Sequence, residues 1–187
     1  NGDVFKVYLL KHSETNFILL ISVHHIACDG WSIGIMLNEL KQIYESEKDN
    51  KNISFPPLTI KYSDYVKFQI EFVQSEKGAE QWSYWKEELR GELPVLNLTA
   101  DKTRPALQTF NGDTEYFQLE KELADEVNKF SKTEGTTVFV TLLSAYFVFL
   151  YKYSGQNDII IGSPTTGRTK TEFDKLIGYC INPVSVR

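Results

Sequence analysis

An apolar, partly β-branched run, Phe17-Ile18-Leu19-Leu20-Ile21-Ser22-Val23, leads straight into His24-His25-Ile26-Ala27-Cys28-Asp29-Gly30 and then into a helical pattern. This strand–turn–helix unit constrains the fold more than any other stretch. The run predicts a buried strand. Ile33, Met36, Leu37, Leu40 and Tyr44 fall on one helical face, and Ser32 stands where it could cap the helix, which should reach about Ser46. Two histidines thus emerge at the carboxyl end of a strand, followed by a turn at Asp29-Gly30. A strand end is rigid and the loop beyond it is accessible, which suits a catalytic base. Histidine titrates near neutral pH, so it can accept and return a proton there. Side chains alternate along a strand, so His24 and His25 should point opposite ways, one into a cavity and one into a structural role. The bland alternative is two satisfied histidines and an ordinary Asp-Gly turn. A lone histidine would favour that; the unit His-His-x-x-x-Asp-Gly is far more specific.

The rest of the chain reads as mixed α/β. Val4 to Lys11 alternates, and the polar stretch from His12 to Asn16 turns it into the histidine strand, a hairpin. Ser63-Asp64 should start a helix with Tyr65, Phe68, Phe72 and Val73 inward. A further helix carries Trp82, Trp85 and Leu89 and stops at Gly91. Periodicity disappears from Asn97 to Gly112, where Asp101, Lys102, Arg104 and Pro105 mark an exposed connection. Thr114 to Leu119 reads as a strand. Leu123, Val127 and Phe130 line a helix ended by Gly135, and Thr137 to Tyr153 is apolar almost all round, the pattern of a buried helix. Ile159 to Ile161 reads as a short buried strand, Gly162 to Thr171 as a loop, then a short helix through Leu176 and a last strand from Ile181 to Val186.

Composition excludes several classes. A net charge of −5 with no long basic run argues against nucleic acid. No apolar run reaches membrane-spanning length. The two cysteines, Cys28 and Cys180, do not make a disulfide framework; reduced thiols in the cytoplasm are the expectation. Gly162 to Thr169 is one residue from a phosphate-binding G-x-x-x-x-G-K-[ST] loop. Arg168 stands where the lysine belongs, and Pro164 removes an N–H that a phosphate cradle would use, so a nucleotide site is rejected. Adjacent histidines without H-E-x-x-H or C-x-x-C spacing argue against a metal. There is no G-x-S-x-G elbow.

His24-His25-Ile26-Ala27-Cys28-Asp29-Gly30 resembles the H-H-x-x-x-D-G signature of nonribosomal peptide synthetase condensation domains, members of the chloramphenicol acetyltransferase-like superfamily. Trp31-Ser32 is similar to the peptide-forming members. Tyr62-Ser63-Asp64-Tyr65-Val66-Lys67-Phe68-Gln69 resembles their Y-x-D-Y-A-x-W-Q block, with Phe68 for Trp. Residues Ile177 to Arg187 resemble I-G-x-F-V-N-T-x-x-x-R, with Cys180 for Phe and Pro183 for Thr. Tyr153 to Asp158 and Gly162 to Arg168 read like family text in the expected order. The family's motifs before and after these lie outside this sequence, so an internal fragment is expected.

The resemblance implies an α/β, two-lobed chloramphenicol acetyltransferase-like fold with its active site in a tunnel between the lobes. Residues 1–98 would end the N-terminal lobe, 99–112 connect, and 113–187 start the C-terminal lobe. It implies amide formation between a donor acyl thioester and an acceptor aminoacyl thioester, with the fragment alone inactive. His25 would be catalytic, removing the ammonium proton or hydrogen-bonding the amine. His24, Asp29, Gly30 and Arg168 would support the motif, with Asp29 and Arg168 paired and Gly30 admitting a pantetheine arm closely. Trp31, Ser32 and Asn182 would line the tunnel. No cofactor or metal is bound directly; substrates ride on phosphopantetheine of partner carrier domains, beside adenylation domains, with no nucleic acid or membrane partner. An epimerisation domain, another acyltransferase of the superfamily, and a noncatalytic carrier-docking module are the alternatives; Gly30-Trp31-Ser32 favours condensation over epimerisation.

Overall fold

The computed structural model describes residues 2–103 and 105–187; Arg104, read as part of the connection, lies outside them. Strands β1 (Phe5–Lys11) and β2 (Phe17–Val23) form the expected antiparallel hairpin, with Phe5 opposite Val23 and Lys11 opposite Phe17. Its turn closes through the amides of His12 and Ser13 on the Asn16 carbonyl, while the Ser13 hydroxyl accepts from the Asn16 amide. The ladder extends one step further, because the His24 amide donates to the Val4 carbonyl at 2.7 Å. The chain then leaves the strand and coils into a short 3₁₀ turn, His25–Ala27.

Helix α1 runs from Gly30 to Lys48. Its cap is Asp29, whose carboxylate accepts the Ser32 amide; Ser32 itself sits inside the first turn, not at the cap. An ionised carboxylate here meets both the free N–H groups and the positive end of the helix dipole. Helix α2 (Tyr62–Val73) starts one residue before the expected Ser63, with Asp64 reaching back to the Lys61 amide. Helix α3 (Glu76–Glu88) follows after Ser75 caps it. The two helices meet at a tight corner: a side chain at Gly78 would strike the carbonyl oxygens of Phe72 and Val73. Helices α4 (Lys121–Thr133) and α5 (Val138–Ser154) come next, then strand β3 (Ile161–Thr165), a 3₁₀ turn at Thr171–Phe173 and strand β4 (Asn182–Val186), which pairs with β3.

The chain divides into two compact units that do not follow chain order. One comprises residues 1–89 together with 162–186; the other comprises 90–161 with Arg187. This grouping differs from the expected lobe boundaries, because residues 162–186 are tied to the first helices by buried contacts. The core of the first unit is Tyr65, Phe173, Leu176 and Cys180, with Ile60 and Phe68 packed against it. The Tyr65 and Phe173 rings meet edge to face at 5.1 Å between centroids. In the second unit, the Ser131 and Thr141 hydroxyls hydrogen-bond between α4 and α5. Gly155 ends α5 at φ 72°, a left-handed conformation that glycine adopts without strain. Arg187 grips Asp158 through two hydrogen bonds, and Gln156 ties down the backbone at Val95 and Asn97.

Several expectations need correction. The histidine strand and the apolar helix α5 are not buried: Leu19, Leu20, Phe139, Val148 and Phe149 are exposed, and Leu150 is the one buried residue of α5. Val73, assigned inward, is 71% exposed. Apolar patterning reports which faces need cover, and nothing among the described residues covers these. Residues 114–119 form no strand, leaving Tyr116 and Phe117 almost fully exposed. A strand needs a ladder partner, and none lies beside them among the described residues. The strand expected at 159–161 begins at Ile161 instead, although Ile159 is buried. The short helix before Leu176 is a 3₁₀ turn. No single helix among the described residues is long and apolar enough to cross a membrane.

Contiguous apolar faces of this extent drive association in water. The 187-residue chain should therefore bind the dye 8-anilinonaphthalene-1-sulfonate strongly and sediment as a concentration-dependent oligomer. A monomer without dye enhancement would mean that these faces find cover within the chain.

Candidate active site

The site belongs entirely to the first compact unit and is built around Asp29. Its side chain is 0% exposed, and that of Arg168 is 2% exposed. The Arg168 guanidinium donates from Nη1 to Oδ2 at 2.7 Å and from Nη2 to Oδ1 at 3.2 Å, the two-point grip that matches a planar fork to a carboxylate. The amide of Ser32 donates to Oδ1 at 2.8 Å and that of Cys180 to Oδ2 at 3.0 Å. One carboxylate thus joins three separated stretches of sequence. The ion pair expected between Asp29 and Arg168 is present, and Asp29 also accepts backbone N–H bonds in its turn.

Ser32 and Arg168 extend the network. The Ser32 hydroxyl accepts from Arg168 Nη2 at 3.0 Å and from the Gly178 amide at 3.1 Å, and donates to the Gly178 carbonyl at 3.0 Å. Arg168 Nη2 also reaches the Leu176 carbonyl at 3.1 Å, while its Nε has no hydrogen-bond partner among the described residues. Two tyrosines of α2 complete the scaffold. Tyr62 donates its phenol proton to the Tyr179 carbonyl at 2.7 Å, and the Tyr65 hydroxyl lies 3.3 Å from the carbonyls of both Gly167 and Cys180. Gly167 sits at φ 64°, and a side chain there would run into the Cys180 carbonyl oxygen. A side chain at Gly178 would run into the Tyr62 ring. Only glycine allows these backbones to lie against their neighbours.

Electrostatics follow from this packing. Burial alone would raise the pKa of Asp29. The hydrogen bond from Arg168, then those from the Ser32 and Cys180 amides, outweigh it and hold the carboxyl well below the usual range. Asp29 is therefore an ionised structural anchor at neutral pH, not a proton carrier. Burial pushes the Cys28 thiol up, and Asp29 adds to that; burial also raises Cys180, against the opposing charge of Arg168. Both cysteines are free and stay protonated at neutral pH.

The two histidines lie beyond the strand, so strand alternation does not orient them. His24 is the cap of the 3₁₀ turn, and its Nδ1 accepts the Ile26 amide at 3.1 Å. His25 is the first residue of that turn and is exposed. Its ring meets that of Tyr179 at 5.3 Å and 75°. Both histidines are exposed; the local turn engages one nitrogen of His24 and leaves His25 without a side-chain hydrogen bond among the described residues. Trp31 donates its indole N–H to the Asp174 carbonyl at 2.8 Å and, with Gly30, Ile35, Phe55 and Leu58, lines a groove of about 800 Å³. Ser32, expected to line a substrate tunnel, is instead fully buried and serves the Asp29 network. A side chain at Gly30 would meet open space, so local packing does not demand glycine there. Asn182 is exposed at the start of β4, where its carbonyl accepts the Thr165 hydroxyl at 2.7 Å. Arg168 is committed to Asp29, which removes the cation a phosphate-binding loop would need. Among the described residues, no three His, Cys, Asp or Glu side chains cluster to hold a metal ion.

Sequence reading reaches His24, His25, Asp29 and Arg168 but assigns no role to Tyr62, Gly167, Gly178 or Tyr179. Tyr62, Gly167 and Gly178 stand within stretches that resemble the family, which is the available signal. Tyr179 stands in the same block as Gly178, at the position where the pattern accepts any residue.

Comparison with known proteins gives the family and the fold. The family model for the Condensation domain matches residues 1–187. Surfactin synthase subunit 1 of Bacillus subtilis (strain 168) is 42% identical over 98% of the chain and 5% of its own length. Tyrocidine synthase 3 of Brevibacillus parabrevis is 37% identical over 100% of the chain and 3% of its own length. The chain thus spans a twentieth or less of the length of these relatives. Among solved structures, the first condensation domain of the CDA synthetase superposes with a TM-score of 0.78 at 17% identity, over 98% of this chain and 40% of that one. The X-domain from teicoplanin biosynthesis superposes at 0.84 and 20% identity, over 99% and 42%. The fold class is the expected one, α/β and chloramphenicol acetyltransferase-like.

Removing the Asp29 carboxylate would strand a buried guanidinium. Asp29→Ala should destabilise the chain by about 3–5 kcal/mol in denaturant unfolding. A double variant, Asp29→Ala with Arg168→Met, should lose clearly less than the sum of the single losses. Because the folded pKa of Asp29 is depressed, its stabilisation is complete above the unfolded value, about 3.9, and is lost as the pH falls below it. The double variant should lack that acid-sensitive component; additive losses with unchanged acid sensitivity would contradict the arrangement.

Proposed function

Because this chain belongs to the Condensation domain family, we propose that it carries the histidine centre of a peptide-bond-forming domain in a nonribosomal peptide synthetase. The observation that carries the reading is the contrast within one motif. Asp29 is buried, ionised and fully occupied by hydrogen bonds, whereas His25, in the turn just before it, is exposed at the edge of the same braced loop. A framework that fixes a loop while leaving the His25 imidazole exposed and without a hydrogen-bonded side chain suits proton handling.

The substrates of the proposed reaction are two thioesters, each held on the phosphopantetheine of a partner carrier domain. The acceptor amine must be neutral to attack the donor carbonyl. His25 either takes the ammonium proton or hydrogen-bonds the amine during attack. The nitrogen–carbon bond forms, the tetrahedral intermediate collapses, the carbon–sulfur bond breaks, and the proton released from nitrogen ends on the departing thiol. Tethering both reactants supplies much of the acceleration by orientation, so the chemical contribution asked of His25 is modest. The partners are carrier and adenylation domains of the same assembly line, in the cytoplasm, where the two free thiols would stay reduced.

The test uses the complete synthetase module with both carriers loaded. His25→Ala should lower the single-turnover rate of amide formation by about 10²-fold or more. His24→Ala should reduce stability, through the lost bond to the Ile26 amide, while the folded fraction turns over normally. A folded His25→Ala module with wild-type turnover would refute the assignment.

A further inference from the structure

We propose that Tyr179 is the positioning residue of His25, holding the imidazole by ring contact where other histidine catalysts use a hydrogen-bonded carboxylate. The proposal rests on the reading of His25 as the working group. A base that moves protons needs an orienting neighbour. The carboxylate nearest in sequence, Asp29, is unavailable: Arg168, Ser32 and Cys180 occupy both its oxygens. Among the described residues, no side chain hydrogen-bonds the His25 imidazole. What it has is the Tyr179 ring, at 5.3 Å and 75°, within the edge-to-face geometry that aromatic pairs prefer.

Tyr179 is well suited to this because its own backbone is held on both sides. Gly178 exchanges two hydrogen bonds with the Ser32 hydroxyl, the Tyr179 carbonyl accepts the Tyr62 phenol, and the Cys180 amide donates to Asp29. Asp29 and Ser32 follow His25 closely in the chain. The buried network therefore controls both rings: the 3₁₀ turn lies just before Asp29, and the Tyr179 backbone is clamped by the same residues. Half-exposed, Tyr179 can touch the imidazole on one side and leave its nitrogens open to substrate. Its phenol oxygen has no hydrogen-bond role among the described residues, so the aromatic ring is what matters.

The experiment compares Tyr179→Phe and Tyr179→Met in the complete synthetase module. Tyr179→Phe should keep wild-type kcat. Tyr179→Met, which keeps apolar bulk without a ring, should lower kcat roughly tenfold with the KM for the loaded acceptor carrier nearly unchanged. The readout a merely structural role would not move is kcat per folded molecule at unchanged KM; the His25 Hε1 resonance, assigned by its absence in His25→Gln, reports whether the ring contact itself is present. In the wild-type module it should carry a ring-current shift that Tyr179→Phe retains and Tyr179→Met abolishes. Wild-type turnover in folded Tyr179→Met, or a His25 resonance at the position of a free histidine in the wild type, would overturn the proposal. The second criterion holds even where Tyr179→Met does not fold. If His25→Ala turned over normally while the ring-current shift was present, the functional reading would fall and the ring contact would stand as structure alone.

Discussion

The first compact unit depends on one buried charge. Asp29 is wholly removed from water, and an isolated carboxylate there would be prohibitively costly. It is tolerated because a guanidinium and two backbone amides converge on it. Such a pair adds little net stability over well-packed apolar side chains. An arrangement in which Arg168, Ser32 or Cys180 moves away leaves a buried charge short of partners, so alternatives are penalised far more steeply than in an apolar core of this size. The aromatic cluster of Tyr65, Phe68 and Phe173 is small, and its members serve the same loop: Tyr65 reaches past it to the Gly167 and Cys180 carbonyls.

That constraint explains how chemistry and architecture divide within a few residues. His24 is drawn into the turn by the Ile26 amide, Asp29 into the ion pair, and Ser32 into the contact with Gly178. Asp29 and Ser32 are fully buried in these tasks, and His24 commits one nitrogen to its own while staying exposed. His25 is left with an aromatic neighbour and open nitrogens. The conspicuous polar residues of the motif thus act mostly on the backbone, and the free imidazole is a product of their being occupied.

Apolar order is distributed differently. The hairpin and helix α5 carry sequences fit for a deep interior, yet most of their side chains are exposed. The chain matches about two fifths of the length of the solved domains it resembles in fold. The site framework does not depend on covering those faces, because its hydrogen bonds close among residues 29–32, 62–65 and 167–180.

The sequence by itself determined the elements with strong local signals. The hairpin, α1, α4 and α5 follow from period-two and period-3.6 patterning, and Gly155 from the need for a left-handed residue at a helix end. The spacing His-His-x-x-x-Asp-Gly also singled out His25 and Asp29, and the resemblance to condensation domains added Arg168. Tertiary structure alone decided the rest. Whether Ser32 caps a helix or braces a distant glycine depends on which group arrives beside it, and Gly178 lies far along the chain. Whether 114–119 becomes a strand depends on a partner that propensity cannot supply. Both histidines lie beyond the strand, in and at the cap of a 3₁₀ turn closed by a side-chain nitrogen, so the strand alternation used to orient them does not apply. The placement of Tyr179 against His25 is of the same kind. Local patterning reports what a segment can bury or cap; only packing against residues remote in sequence decides which of those options is taken.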